Sequence, residues 1–213
     1  MFKIDMHVHT YYSYGDGINS PEEMIRAAEA KGLDGIAITD HDNIEGAQEA
    51  MSVDTGLLVV AGAEVSSLEG HILAYGIHEN VPMGLSARET IEAIHGQGGI
   101  AVAAHPFDHR RSAVGELIFQ LPFDGVEALN GHFLKDGGST KRICQEHSFP
   151  MTAGTDAHMA KEIGSCYTVL GNLDDYKAEI VSGRSAVEGK PVPALMLFEK
   201  WLRTYVLRQG KFL

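Results

Sequence analysis

Short apolar runs alternate with helical patterns along most of the chain. Phe2 to Val8 predicts a first strand. Ser20-Pro21-Glu22-Glu23 then opens a helix with an N-cap, a first-turn proline and a capping-box glutamate, and Gly32 ends it. Gly35–Thr39 reads as a short buried strand, Ile44–Met51 as a helix and Leu57–Val65 as a strand. His71–Ile77 is either a strand or the return limb of a hairpin. Ser86-Ala87-Arg88-Glu89 caps another helix, stopped by Gly96, Gly98 and Gly99 before the strand Ile100–Ala104. Further strands are predicted at Gly125–Leu129, Met151–Gly154 and Cys166–Leu170, with helices at Val114–Gln120, Ser139–His147 and Leu173–Ser182.

Strands that alternate with helices imply a parallel sheet with crossover helices. Seven strong strand signals in 213 residues fall short of an eight-stranded barrel of ~250 residues. The expectation is therefore an α/β fold, a distorted seven-stranded (β/α) barrel of TIM-like form, with an open doubly wound sheet as the competitor. Pro191-Val192-Pro193 marks a change of character. Beyond it, Leu195, Phe198, Leu202 and Tyr205/Val206 keep helical spacing. Residues 1–190 are thus expected to form one barrel, and 191–213 a C-terminal helix packing its apolar stripe on it.

Composition narrows the function. A hydrophobic fraction of 44% supports a buried core, and a net charge of −12 disfavours duplex nucleic acid and anionic membrane as partners. The last 18 residues carry +3 against −15 for the rest. Cys144 and Cys166 are too few for a disulfide scaffold and read as reduced thiols. The charged start and the lack of any apolar run near ~20 residues point to a soluble, cytoplasmic protein. The 11 histidines change the picture most, because His and Asp together are raw material for binding cations.

Those histidines fall where predicted strands end: His7 and His9, Asp40 and His41, Glu64, His105, Asn130 and His132, then Asp156 and His158. In a parallel barrel these ends share one face, where active sites are built. Residues i and i+2 of a strand point the same way, so His7/His9 and Asp156/His158 are candidate chelating pairs. Imidazole and carboxylate suit Zn, Mn or Fe, and His7, His9, His41, Glu64, His105, Asp156 and His158 make seven ligands, more than one tetrahedral ion needs. Two or three divalent ions are implied. His78, His95 and His147 lack that placement and read as incidental.

Asp5-Met6-His7-Val8-His9, Ile38-Thr39-Asp40-His41, Gly62-Ala63-Glu64-Val65, Ala104-His105-Pro106 and Gly154-Thr155-Asp156-Ala157-His158 together resemble the PHP family, named for polymerase and histidinol phosphatase. The resemblance implies a distorted barrel with a di- or trinuclear metal centre and phosphoester hydrolysis by a water bridging two metals. It implies that His7, His9 and Asp156 hold one ion, with Glu64 bridging to a second held by His105, and that Asp16, His41 and His158 hold a third. Either Asn130 or His132 would complete the second site. His71 falls where related phosphatases carry a histidine beside the cluster, as against a plain barrel-wall residue. Arg110 and Arg111 are candidate phosphate grips, with Lys135 and Lys141 weaker ones. Protonation of the leaving group is left to water, His71 or Asp16.

Short loops and the lack of a long insertion favour a small phosphorylated metabolite or nucleotide as substrate. The alternatives are an exonuclease acting on short single-stranded RNA or DNA ends, and a noncatalytic metal-stabilised module of the kind attached to polymerases.

Overall fold

The protein is described by a computed structural model covering residues 1–132 and 138–209. Its strands are β1 (Phe2–Val8), β2 (Gly35–Ile38), β3 (Leu58–Ser66), β4 (His71–Tyr75), β5 (Ile100–Ala103), β6 (Gly125–Asn130), β7 (Met151–Gly154), β8 (Cys166–Leu170) and β9 (Ala186–Gly189). Helices α1 (Pro21–Ala30), α2 (Glu45–Met51), α3 (Ala87–Gly96), α4 (Ser139–His147), α5 (Tyr176–Val181) and α6 (Ala194–Gln209) lie between and after them. Ser20 and Ser86 form the capping boxes that open α1 and α3.

All nine strands form one sheet in the order β7-β6-β5-β4-β3-β2-β1-β8-β9. It nearly closes on itself, because residues just past β7 reach β1: Asp156 N–H donates to His7 O at 2.7 Å and His9 N–H to Ala157 O at 2.8 Å. The expectation of seven strands in a parallel barrel is corrected to nine in a mixed sheet, for two physical reasons. Four residues join β3 to β4, far fewer than a parallel crossover needs, so β4 runs antiparallel to both neighbours. At the far side, β8 returns antiparallel along β1 and β9 folds back along β8.

Direction decides what faces the mouth. β1, β2, β3, β5, β6 and β7 all run the same way, so their C-terminal ends share one rim. Strand β4 runs against them, which brings its first residue, His71, to that same rim. One apolar cluster fills the barrel around Ile4, Met6, Leu73, Tyr75 and Val102, where Tyr75 Oη–H donates to Met6 O at 2.8 Å. A larger one packs the helices on the outer wall.

One local expectation also changes. Val114–Gln120 is a 3-10 turn over Gly115–Phe119, entered through a left-handed Gly115 at φ 56°. On α6, Leu195, Phe198, Trp201 and Leu202 are exposed, while the side chains of Tyr205 and Val206 lie outside the described residues. Among the described residues no helix is long and apolar enough to cross a membrane.

Candidate metal centre

Backbone irregularity prepares the site. β1 carries a bulge between Asp5 and Val8, and β6 carries another between Glu127 and Leu129. Bulges re-aim side chains beside active sites. Here His7 Nδ1 meets Glu127 Oε1 at 2.8 Å, joining the two bulged segments in the buried interior. His105 (φ 29°) and Asp156 (φ 57°) both adopt the left-handed region, a strained conformation that the surrounding hydrogen bonds hold in place. His105 N–H donates to Glu127 Oε2 at 2.7 Å, and Asp156 N–H to His7 O.

Six of the predicted ligands converge directly. The Nε2 atoms of His7 and His9 lie 3.0 Å apart, and Glu64 Oε2 is 3.4 Å from each. Asp156 Oδ1 is 3.3 Å from His9 Nε2 and 3.8 Å from His7 Nε2. On its other oxygen, Glu64 meets His105 Nε2 and His71 Nδ1, each at 2.9 Å, while His41 Nδ1 lies 3.0 Å from Oε2. Glu64 therefore sits between two groups of imidazoles. A third group forms at the rim, where Asp16 Oδ2 is 3.2 Å from His158 Nε2 and 3.7 Å from His41 Nε2.

The donor set fits a cation. His7 Nδ1 is committed to Glu127, and His9 Nδ1 faces Ser13 Oγ at 2.8 Å, whose hydroxyl donates to Asp40 Oδ1 at 2.8 Å. These partners place each ring proton on Nδ1 and turn the two Nε2 lone pairs toward each other and toward two carboxylates. Neighbouring ligand atoms around a tetrahedral ion with bonds of about 2.0–2.1 Å stand about 3.3 Å apart, which is the spacing seen. Two buried atoms at the same centre, Asp16 Oδ1 and His105 Nδ1, have no hydrogen-bond partner among the described residues.

Electrostatics agree. Burial alone would raise the Glu64 carboxyl, but His7, His105 and His41 hold it well below the usual carboxylate range. Burial opposes charge on His7 as well, yet Asp156, Glu127 and Glu64 raise its pKa well above the ordinary value. The site attracts positive charge.

The sequence profile of the PHP domain matches residues 5–121, and that of the PHP-associated region matches residues 139–183. The chain belongs to the PHP domain family. One PHP relative is an uncharacterised protein of Methanocaldococcus jannaschii, 39% identical over 146 residues, which are 63% of this chain and 85% of that one. A 67-residue stretch is 37% identical to a 5'-3' exoribonuclease of Haemophilus influenzae, covering 30% of this chain and 24% of the other. The fold is shared with a two-domain Bacteroides vulgatus protein containing a predicted PHP-like metal-dependent phosphoesterase. There the TM-score is 0.74 at 18% identity, over 89% of this chain and 65% of that chain.

Other expected residues lie around these ligands. Asn130 donates from Nδ2 to Glu127 Oε2 at 3.0 Å and to Asp156 Oδ2 at 3.1 Å, and its Oδ1 accepts His132 N–H at 2.9 Å. It braces the carboxylates with every polar atom engaged. His132 groups with His158 and Glu162, its Nε2 lying 3.5 Å from Glu162 Oε2. Arg111 reaches into the cavity and pairs with Asp156. Arg110 does not line that cavity, because Asp108 holds its guanidinium at 2.9 Å. Lys141 Nζ donates to Val187 O at 3.1 Å, away from the site, and Lys135 lies outside the described residues.

Three contributors, Glu127, Ser13 and Lys200, escaped the sequence reading. Glu127 is a carboxylate inside an apolar strand, a signal the alternation of β6 contains but which the adjacent Asn130 and His132 overshadowed. Ser13 Oγ faces His9 Nδ1 and also accepts His41 N–H at 3.1 Å, and Asp40, already among the strand-end residues, accepts the Ser13 hydroxyl. Lys200 comes from the distant C-terminal helix and lines the cavity of about 250 Å³ together with Asp16, Glu64, His71, Arg111 and Asp156.

Proposed function

We propose that this protein is a metal-dependent hydrolase of phosphate esters, acting as a phosphomonoesterase on a small phosphorylated metabolite or nucleotide. The observation that carries this reading is the pair of facing Nε2 atoms of His7 and His9, 3.0 Å apart and flanked by Glu64 and Asp156. His7, His9, Asp156 and Glu64 would hold one divalent ion, Glu64 and His105 a second, and Asp16, His41 and His158 a third. Mn, Zn and Fe all accept this imidazole and carboxylate set. Ions held there supply a nucleophile from water near neutral pH and neutralise charge on the phosphoryl oxygens.

The chain's own residues do the rest. Arg111, fixed between Asp156 and Asp108, presents a planar fork suited to phosphate oxygens. His71 stands on the cavity wall with Nδ1 committed to Glu64. That leaves its Nε2 as the ring atom for proton exchange with the leaving oxygen.

A second reading, exonuclease action on short single-stranded ends, draws on the stretch shared with the Haemophilus influenzae exoribonuclease. A screen of phosphorylated metabolites against 5′-phosphorylated oligonucleotides separates the two. The phosphatase reading expects a small monoester to exceed every oligonucleotide in kcat/KM by at least about tenfold. The reverse preference would replace it with the nuclease reading.

A further inference from the structure

The C-terminal segment is fastened to the rim of the metal centre. Lys190 N–H donates to Ser165 O at 2.8 Å, and Val192 N–H donates to Gly131 O at 2.7 Å, between Asn130 and His132. Val192 itself is buried. In the second turn of α6, Glu199 pairs with Lys161, three residues after His158, and also meets Arg203 at 3.0 Å. Leu195, Phe198, Trp201 and Leu202 are exposed, and the Glu199–Lys161 pair ties this part of the helix to the rim. The next residue after Glu199 is Lys200, which lines the same cavity as Arg111, Asp16, Asp156 and His158. The two family profiles end at residues 121 and 183, both before this helix.

We infer that Lys200 and Arg111 together form an anion subsite for the terminal phosphate of the substrate, so that α6 is part of the substrate-binding site. This rests on the phosphoester reading above. A terminal phosphate is a dianion with three non-bridging oxygens, whereas a diester offers one charge and two. A guanidinium fork and an ammonium point charge on one cavity wall match the former. The cavity, about 250 Å³, accommodates a phosphoryl group and its first attached atoms. The substrate class that follows is a small monoester carrying a dianionic end.

The test uses the full chain loaded with Mn²⁺, as wild type, Lys200→Ala and Lys200→Arg, with inorganic phosphate titrated by calorimetry. Turnover of p-nitrophenyl phosphate and bis(p-nitrophenyl) phosphate is measured alongside. Lys200→Ala is expected to weaken phosphate about tenfold and to raise the monoester KM by a similar factor with little change in kcat, leaving the diester KM within twofold. Lys200→Arg should restore most of the phosphate affinity. Phosphate binding unchanged within twofold in Lys200→Ala, or a diester KM that shifts as much as the monoester KM, would overturn the assignment. If the wild type turns over neither ester, the hydrolase reading falls, while the calorimetric comparison still decides the role of Lys200.

Discussion

Glu127 holds three parts of the centre at once: the ring of His7, the backbone of His105 and the amide of Asn130. Such partners fix ring orientation and raise ligand basicity, and losing one costs about 10–100-fold in metal affinity. Glu127→Gln should show that loss in a chelator competition assay, with unchanged affinity counting against the role. Direct ligands should matter more. His105→Ala and Asp156→Ala are each expected to lower kcat/KM by about 100-fold or more, and near wild-type turnover in both would refute the site. His41 adds a pH signature. Burial would lower its pKa, but Asp16 and Glu64 outweigh burial and push it up to about 10. It is therefore protonated at neutral pH until an ion displaces that proton, so metal binding should release protons and tighten from pH 6 to pH 8. Zinc titrations in buffers of different ionisation enthalpy count the protons; zero release would contradict the ligand assignment. The histidines were legible because imidazole at strand ends is chemically conspicuous. The Arg110/Arg111 pair was not, since sequence does not say which of two adjacent guanidinium groups beside Asp108 reaches on to Asp156.

At the scale of elements, alternation of apolar runs and caps located most strands, and six co-directional strands explain why their ends share a rim. What the pattern left open was direction. The tight Ser67–Gly70 link could have shown that β4 turns back, and that reversal is what places His71 beside Glu64. Strand β9 was missed because only one of its four residues is buried, so it carries little apolar signal. The seam between β7 and β1 makes a specific demand. A Cβ on Gly154 would come within 2.3 Å of the His7 backbone nitrogen, and no rotamer relieves a clash with backbone. Gly154→Ala should therefore cost about 1–3 kcal/mol in chemical denaturation and weaken metal binding through His7. Wild-type stability and affinity together would mean the seam does not position the ligand.

For the whole molecule, the formal charge of −12 overstates the repulsion a phosphate meets at the mouth. Asp16, Glu64 and Asp156 would be neutralised by bound ions, and Arg111 and Lys200 already stand on the cavity wall. Ions held by the folded chain alone also stabilise it by mass action, about 2.7 kcal/mol at a free concentration 100 times Kd. Chelation should accordingly lower Tm, and Mn²⁺ or Zn²⁺ should restore it. The central claim is most directly tested by one paired measurement on the purified chain: metal content per chain, and phosphate release from monoesters before and after chelation. The account predicts two or more ions per chain and hydrolysis that disappears with chelator and returns with metal. A chain that binds two or more ions yet hydrolyses no ester in a broad panel would contradict it.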